Sequence, residues 1–384
     1  MSKRSLIWVV ARVHAPDEGG VQTYVAQVAK AYARAGRQVT VFAKSSAGPR
    51  RLVEGGISLV DVGPGSLVAV YIRLALAMCR AWLRGERPAA IHACTWRAAI
   101  PALLFPRPLL ATVHGREVGR PSRAAFRLMR AVLGRTTRII AVSDATRRLL
   151  LDRAPDFAGA CVTAWNGIVL PVDAPERTAN VRPRAITVCR LVRRKNVPAA
   201  VKAVAACRNK DAALDYVVIG RGPAEVDIRA AIEPVTPELG ATTMTGYVED
   251  AELEEWYRSA DIFLHPQIAL EDGAEIEGFG ISVADAMAHG LACIVGRDGG
   301  PGELVRDGVT GLVIDGRDPG ALRDAILLLA RDPAYRDRLA ANGRSFAREH
   351  FSWDRHCSLA LEGLVPGGRP GRRAGQEQLL GSLN

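Results

Sequence analysis

The sequence predicts an α/β protein of two domains, each a parallel β-sheet covered by helices, with a cleft between them. At 384 residues the chain is too long for one core, since a domain usually holds about 100–200 residues. Short β-branched apolar runs alternate with stretches of helical periodicity. This alternation stops in a Pro-rich, aperiodic segment at 166–183 and then starts again, so the domain boundary is predicted there.

The first domain is predicted over residues 1–172 and the linker over 173–183. An apolar strand at 6–11 is followed by a loop that closes on Gly19-Gly20, and a helix is predicted over 21–35. Because helical patterns separate most of the later strands, the sheet is predicted to be parallel and covered by helices. Those strands are predicted at 38–43, 57–62, 90–92, 109–114, 139–143 and 161–164.

The second domain is predicted over 184–350 as another open parallel sheet. A short amphipathic helix at 351–364 is expected to return toward the first domain, and the tail at 365–384 to be disordered. In such sheets ligands bind beyond the carboxyl ends of the strands, so the loops after the strands are where a site is sought. The strands are predicted at 185–189, 214–219, 261–264, 291–295 and 311–314, and two further helices at 319–330 and 334–350.

Composition argues against an exported or membrane-spanning protein, and we expect a cytoplasmic one. The seven cysteines are scattered and form no CxxC pair, which favours a reducing compartment. The apolar run near the start ends at Arg12, too early for a signal peptide. Arginine or proline interrupts the long apolar stretches at 67–83 and 98–113, so neither is expected to span a bilayer.

The segment EIEGFGISVADAMAHGLACIV carries the strongest signal of a site. Glu277 lies in a loop, Gly278 and Gly280 leave the backbone bare, and helical periodicity follows over 281–289. The amides of Phe279, Gly280 and Ile281 are thus predicted at a helix N-terminus, where unpaired N–H groups and the positive dipole end suit a diphosphate.

A second acid, Asp285, follows Glu277 by eight residues and lies inside the predicted helix. One carboxylate can meet a transferred sugar while the other accepts hydrogen bonds from ribose hydroxyls. A Gly-rich loop that simply opens an acid-rich helix is the alternative that this pattern alone leaves open.

The pattern resembles the signature of the family 4 retaining glycosyltransferases, whose GT-B fold sets two Rossmann-like domains face to face around a cleft. The family carries an acid, GFG with an aliphatic residue, a second acid eight positions on, and a small-Met-Ala helix before a glycine and a strand. The matching residues here are Glu277, Gly278, Phe279, Gly280, Ile281, Ala286, Met287, Ala288 and Gly290. The sequence departs at Asp285, where the family usually has Glu, and we expect activity to be retained.

A basic pair is predicted in ITVCRLVRRKNVPAAVKAV, where Arg190 and Lys195 lie between a strand and a helix. Two fixed cations beside a diphosphate would bind the donor and stabilise charge on the departing nucleotide. The resemblance places the family's basic pair at these residues. Arg193 and Arg194 are interpreted as ordinary solvated charges.

Weaker matches supply further candidate donor-binding residues. Gly220 lies in a Gly-x-Gly-Pro turn after a strand, and Tyr247 and Val248 lie in a loop whose backbone meets the base in the family. Gly20 would let the backbone approach phosphate or sugar. Each also has a plain structural explanation, namely a common turn, a polar loop that caps a helix, and an ordinary loop glycine.

His114 ends the strand LLATVHG, and the resemblance places a family histidine here, close to the transferred sugar. A lone histidine at a strand end also has a structural interpretation, but the carboxyl edge of a cleft strand favours a functional one. Glu117 is predicted to orient either His114 or an acceptor hydroxyl, with a surface carboxylate as the alternative. Ser143 is interpreted as a helix cap rather than a nucleophile.

The resemblance covers about residues 5–362 and implies retaining transfer of a sugar from a UDP- or GDP-sugar to a hydroxyl acceptor, in cell-surface glycan, exopolysaccharide or glycolipid synthesis. It implies that Glu277 orients sugar hydroxyls, Asp285 holds the ribose, and neither a metal nor another cofactor is needed. A nucleotide-sugar epimerase of the same fold and a non-catalytic binding protein are the alternatives. Nucleic acid is not expected as a partner, because the aromatic interleaving of a single-strand platform is absent.

The charge distribution predicts contact with an anionic membrane. Residues 1–175 hold 25 Lys and Arg against 10 Asp and Glu, a balance of +15, while the remainder holds 26 against 30, or −4. Seven arginines of the first domain form two stripes on predicted helices. From these stripes we expect peripheral binding at the inner face of the cytoplasmic membrane and a lipid-linked or anionic acceptor. Solvated faces of two packed helices are the alternative. The stripes are Arg73, Arg80, Arg84 and Arg87, and Arg123, Arg127 and Arg130.

Overall fold

A computed structural model describes residues 5–14, 20–170, 180–232, 237–270 and 273–365. Its strands form two sheets, of eight and six strands, each covered by helices. Of the predicted linker only 180–183 lie within the described residues, and the predicted tail lies outside them from residue 366 onward.

The first sheet has the strand order β3-β4-β2-β1-β5-β6-β7-β8. All neighbouring strands are parallel except β3 and β4. The strands are β1 Leu6–Val10, β2 Gln38–Ala43, β3 Arg50–Glu54, β4 Ile57–Asp61, β5 Ala90–Ala93, β6 Leu109–Val113, β7 Arg138–Ala141 and β8 Cys161–Thr163, and the helices are α1 Gly20–Arg34, α2 Leu67–Leu83, α3 Arg116–Gly119, α4 Arg123–Leu133 and α5 Asp144–Leu151.

The antiparallel edge strand β3 is an addition to the predicted sheet. Its five residues are all exposed, so its sequence carries no burial pattern that would identify a strand. Gly55 and Gly56 join it to β4 with φ of 55° and 80°. Positive φ at both central residues is what a tight hairpin turn requires.

The second sheet is wholly parallel, with the order β11-β10-β9-β12-β13-β14. The edge strand β11 was not among the predicted strands, and none of its residues is fully buried. The strands are β9 Arg184–Val188, β10 Asp215–Ile219, β11 Thr242–Gly246, β12 Ile262–His265, β13 Ala292–Gly296 and β14 Leu312–Ile314, and the helices are α6 Val197–Arg208, α7 Glu225–Ala231, α8 Asp250–Ser259, α9 Ile281–Ala288, α10 Pro301–Leu304, α11 Pro319–Arg331, α12 Pro333–His350 and α13 Trp353–Leu361.

The strand order reverses between β1 and β5 in the first sheet and between β9 and β12 in the second. A crevice opens beyond the carboxyl ends of the strands at such a reversal. The loops after β1, β5, β9 and β12 therefore define the part of each sheet where a ligand is expected.

The last helix, α13, packs against α1 of the first domain. Its His356 makes a 2.7 Å hydrogen bond with the Tyr24 hydroxyl, which also contacts Thr112 (2.8 Å) and His92 (3.3 Å). All four residues are buried. Burial lowers the pKa of His92 to about 3 and that of His356 to about 4, so both rings are neutral at physiological pH. A residue near the C-terminus thus completes a polar cluster inside the first domain.

Candidate functional site

The loops after β6 and β12 meet in the cleft between the two sheets. A Cβ atom at Gly278 would lie 1.9 Å from the carbonyl oxygen of His114, and one at Gly115 would lie 3.2 Å from the Cα of Gly278. The Thr146 hydroxyl donates to the Gly278 carbonyl at 3.3 Å. The loop around Gly278 therefore contacts the backbone of the first domain. Residue 278 must be glycine because there is no room for a Cβ atom.

Glu303 forms a second bridge between the domains. Its carboxylate accepts a 2.8 Å hydrogen bond from the Asp144 amide, at the N-terminus of α5, and another of 2.8 Å from Arg148. Burial raises the pKa of Glu303 to about 7, although both contacts favour the ionised form. Ser143 caps the same helix by accepting from the Thr146 amide, as predicted.

The N-terminus of α9 faces the first domain. The helix begins at Ile281, and its N-cap Gly280 is left-handed, with φ of 96°. The Ile281 side chain approaches the position of a Cβ at Gly20 to 3.8 Å, so this end of α9 lies against the start of α1. Phe279 packs its ring against Phe351 in the core, which leaves only its backbone for a ligand.

Glu277 is held between two cations. Its Oε2 lies 2.9 Å from the Lys195 Nζ and 3.1 Å from the Arg194 Nε. Burial alone would raise the pKa of Glu277, but Lys195 and then Arg194 outweigh it and lower the pKa to about 2. The side chain is thus an ionised, fixed carboxylate.

Arg194 is a site residue that sequence reasoning missed. It was interpreted as a solvated charge, but its side chain is only 17 % exposed and also lies 3.6 Å from Glu275. A short 3₁₀ turn at Arg193–Lys195, ended by the left-handed Asn196, turns two successive cations toward one carboxylate. Neighbouring basic residues do not point in the same direction in an extended loop, so the residue types alone carry no signal of this pairing.

His265 lies behind this charged group at the end of β12. It is buried, and its Nε2 lies 3.4 Å from the Lys195 Nζ. Burial and then Lys195 lower its pKa to about 3, so the ring is neutral. Its buried Nδ1 has no hydrogen-bond partner within the described part of the chain.

Two further candidates, Arg190 and Gly220, follow the paired strands β9 and β10. Arg190 follows β9 and is exposed to solvent. Gly220 has φ of 135°, and a Cβ there would lie 1.9 Å from the Cys189 carbonyl oxygen. The close packing of two strand ends therefore explains why residue 220 is glycine.

A cavity of about 460 Å³ lies between α1 of the first domain and α8 and α9 of the second. Asp285 lines it, and burial raises the pKa of this carboxyl group to about 7. Thr23 and Gln27 line the facing wall, and Asp250 lies at the start of α8. This cavity is continuous with the N-terminal turn of α9, because Ile281 lines it too.

The loop after β11 holds the two residues predicted to meet the base. Tyr247 is 44 % exposed and Val248 is buried. They lie immediately before α8, whose first residue, Asp250, lines the cavity. The loop is thus placed at one end of the cavity that contains Asp285.

His114 lies across the cleft from these groups. Its Nε2 lies 2.8 Å from the Cys94 carbonyl and must therefore be the protonated nitrogen, since a carbonyl only accepts. The Glu117 carboxylate accepts from the backbone amide of His114 rather than from its ring. The Tyr24 ring packs edge-on against it, with 4.9 Å between ring centroids. In the neutral ring, Nδ1 is left as a hydrogen-bond acceptor.

Two family profiles match the chain. The profile described as "Glycosyltransferase Family 4" matches residues 18–170, and "Glycosyl transferases group 1" matches residues 173–346. The two matches meet within the predicted linker region and together span both sheets.

Two relatives are similar along nearly their whole length. A GDP-mannose-dependent alpha-(1-6)-phosphatidylinositol monomannoside mannosyltransferase of Mycolicibacterium smegmatis is 28 % identical over 94 % of this chain and 98 % of the relative. A D-inositol 3-phosphate glycosyltransferase of Arthrobacter sp. is 27 % identical over 90 % of each.

Solved structures share the fold at low identity. Sucrose-phosphate synthase of Thermosynechococcus elongatus aligns with a TM-score of 0.72 and 20 % identity over 93 % of this chain and 97 % of that one. Anabaena HepE, solved with UDP and glucose, aligns with a TM-score of 0.71 and 15 % identity over 94 % and 99 %. With the two profile matches, these alignments establish that the chain is a glycosyltransferase with the GT-B fold and belongs to glycosyltransferase family 4.

Proposed function

We propose that the enzyme transfers a hexose from a GDP- or UDP-hexose to a hydroxyl acceptor with retention at the anomeric carbon. The observation that carries this proposal is the fixed Glu277 carboxylate, which lies between Lys195 and Arg194 close to the N-terminus of α9. The relative named as GDP-mannose-dependent makes GDP-mannose the first donor to test.

The donor diphosphate would bind at the first amides of α9, where no preceding turn supplies carbonyl partners. Arg190 and Lys195 would stabilise the negative charge that grows on the departing nucleotide. The nucleoside would occupy the 460 Å³ cavity, with the ribose at Asp285 and the base at the Tyr247 loop. The cations and the helix N-terminus would take the role that a metal has elsewhere, so we propose metal-independent transfer.

Glu277 and His114 would contact the transferred sugar from opposite domains. Glu277 accepts hydrogen bonds from sugar hydroxyls, and His114 accepts one at Nδ1. The bond between the anomeric carbon and the phosphate oxygen breaks, the acceptor oxygen bonds to that carbon on the same face, and its proton passes to the leaving phosphate. No side chain acts as a covalent nucleophile in this scheme.

Product analysis tests the proposal. With GDP-mannose or a UDP-hexose and a hydroxyl acceptor, we expect a glycoside of the donor's anomeric configuration, identified by proton NMR. Without acceptor, we expect only slow hydrolysis of the donor. An inverted product would overturn the mechanism, and a changed nucleotide sugar without acceptor would instead identify an epimerase.

We also propose that the first domain rests on an anionic membrane through α2. Val68, Ile72, Leu76 and Leu83 are 48–83 % exposed, and at about 100° per residue they share an arc of roughly 80°. The exposed Arg80 lies about 40° beyond one edge of this arc, and the exposed Arg84 is the C-cap of the helix. An apolar ridge beside arginines is the pattern of a helix that lies in a lipid headgroup layer. No helix among the described residues is long and apolar enough to cross a bilayer.

The structure changes the arginine stripes on which this prediction first rested. Arg73 donates to the carbonyls of Val62 and Pro64, and the guanidinium of Arg87 lies 4.2 Å from the centre of the Trp82 ring. Arg130 forms a 2.8 Å ion pair with Asp156. These three arginines make contacts within the protein. The membrane proposal therefore rests on the exposed aliphatic side chains of α2, which form its apolar ridge.

Flotation with liposomes tests the surface on α2. Ile72→Glu/Leu76→Glu should reduce binding to anionic vesicles by about tenfold or more, because two aliphatic side chains would no longer insert. Val226→Glu changes an equally exposed aliphatic residue in the second domain and should bind as the wild type does. Binding that ignores both the double variant and the lipid charge would contradict the proposal.

A further inference from the structure

Two arginines flank the strand-order reversal of the first sheet. Arg12 follows β1 by two residues and Arg97 follows β5 by four. The two strands are paired, with Val10 opposite Ala93, and the Cys94 amide donates to the Val10 carbonyl at 2.9 Å. Because paired strands lie about 4.8 Å apart, both side chains start from one short stretch of the sheet's carboxyl edge.

Tyr71 of α2 lies beside the Arg12 guanidinium, and Arg97 is close enough to act on the Tyr71 hydroxyl electrostatically. The Arg12 Cζ is 5.7 Å from the centre of the Tyr71 ring, and Arg97 stacks on Trp96 at 4.3 Å. Burial raises the pKa of Tyr71, and both arginines lower it. A phenol hydroxyl and two cations therefore share one half-buried location, in which the aromatic faces hold the guanidinium planes in place.

Neither Arg12 nor Arg97 forms an ion pair within the described ranges, whereas other arginines of this domain, such as Arg130 and Arg148, do. Two like charges that are partly removed from water, with no carboxylate of the described ranges paired to them, raise the free energy of the site when no ligand is bound. A bound anion would relieve that cost.

The location fits the acceptor rather than the donor. The Cys94 carbonyl, three residues before Arg97, accepts from the His114 ring. The pair thus lies one strand from the residue that faces the transferred sugar, on the domain opposite α9. In the proposed function the donor diphosphate binds to the second domain, at the N-terminus of α9.

We infer that Arg12, Tyr71 and Arg97 bind a phosphate group carried by the acceptor. Guanidinium forks match phosphate oxygens in pairs, and a phenol hydroxyl donates one further hydrogen bond. This inference rests on the proposed function, since it names the acceptor class of the same enzyme. The phosphate belongs either to a free polyol phosphate or to a phospholipid headgroup, and both present the same group to these residues.

Binding without turnover gives the first test. With GDP or UDP present, calorimetry with myo-inositol 1-phosphate and with myo-inositol should show that the phosphate tightens binding. Arg12→Gln and Arg97→Gln should each weaken binding of the phosphate ligand by about tenfold to a hundredfold, as expected for charged hydrogen bonds. Equal affinity for both ligands in the wild type, together with no response to inorganic phosphate or phosphatidylinositol vesicles, would overturn the inference.

Kinetics separate this site from the donor site. Arg12→Gln, Arg97→Gln and Tyr71→Phe should raise KM for the phosphorylated acceptor and leave donor hydrolysis unchanged. Arg135→Gln, an exposed arginine before β7 at the opposite edge of the sheet, is the matched control. Equal effects on phosphorylated and neutral acceptors would contradict the inference while leaving glycosyl transfer intact. Absence of donor hydrolysis in the wild type would count against the proposed function, and the binding assay would still decide the phosphate site.

Assays with phosphatidylinositol vesicles distinguish the two sources of phosphate. A lipid acceptor should require both the arginine pair and the exposed aliphatic side chains of α2, so Ile72→Glu/Leu76→Glu should lower turnover of the lipid by about tenfold or more. A free polyol phosphate should be used equally well by that double variant. If the arginine pair recognises the phosphate group, Arg12→Gln should lose activity toward both acceptors. Ile72→Glu/Leu76→Glu should then lose activity only toward the lipid.

Discussion

Glu277→Gln is expected to lower kcat by about 100- to 1,000-fold, the usual loss when a group aimed at the transition state is removed. The amide keeps the shape of the side chain but not its charge. Lys195 and Arg194 then lose their neutralising partner and remain free to attract the donor diphosphate. The dissociation constant of the nucleotide sugar should therefore change less than about threefold or fall. Single-turnover kinetics and calorimetry measure the two quantities separately.

Glu275→Gln is the matched control, since Glu275 lies 3.6 Å from the same Arg194 but is more exposed. It should keep kcat within about threefold of the wild type. Because the pKa of Glu277 is about 2, below that of a free carboxyl group, the carboxylate stays ionised at every pH above about 4. Protonation of Glu277 should thus not lower the kcat of the wild type between pH 5 and 8. This is roughly the pH range where proteins are most stable. A parallel loss of binding and turnover in Glu277→Gln would contradict the role in the transition state.

Gly278→Ala is expected to reduce kcat by about a hundredfold or more while leaving the melting temperature nearly unchanged. The new methyl group would lie 1.9 Å from the His114 carbonyl oxygen, a distance that no pair of non-bonded atoms tolerates. The two domains must separate by about an ångström, and a displacement of that size misaligns reacting groups enough to cost about 100-fold. Each domain also has an apolar cluster confined to itself, around Trp8 in the first and around Leu214 in the second, so unfolding should be affected much less than turnover.

Gly159→Ala is the control for this substitution, because a Cβ there meets nothing within 4 Å. Small-angle scattering should show a larger radius of gyration for the donor-bound Gly278→Ala variant than for the donor-bound wild type. A fully active Gly278→Ala enzyme would mean that the domains need not meet at this contact. A large fall in its melting temperature would assign the glycine to folding instead of domain closure.

Periodicity and the family signature were enough to predict the two-domain α/β fold, because buried strands and amphipathic helices carry their pattern locally. The edge strands β3 and β11 were not predicted, because β3 is exposed and β11 only partly buried, and such strands lack the apolar pattern of buried ones. Ser143 was predicted correctly as a cap because capping depends on neighbours within one turn.

Contacts that join distant segments were beyond reach of the sequence. Arg194 and Glu277 are 83 residues apart, and Glu303 meets Arg148 over 155. Nothing in the residue types of either partner marks such a pair. The charge of Arg194 suggested only solvent exposure, and the identity of its partner depends on how two loops meet at one edge of a sheet.

The hydrogen bond between His356 and Tyr24 has a consequence for the order in which the chain acquires its structure during synthesis. The ribosome releases the first sheet long before residue 356, and domains generally fold in the order in which they emerge. Until the last helix arrives, the Tyr24 hydroxyl lacks its hydrogen bond with His356 and has only Thr112 and His92 as partners. The N-terminal domain is thus the first to begin folding and the last to be completed. A nascent chain released before residue 356 would lack the hydrogen bond that completes the core of this domain.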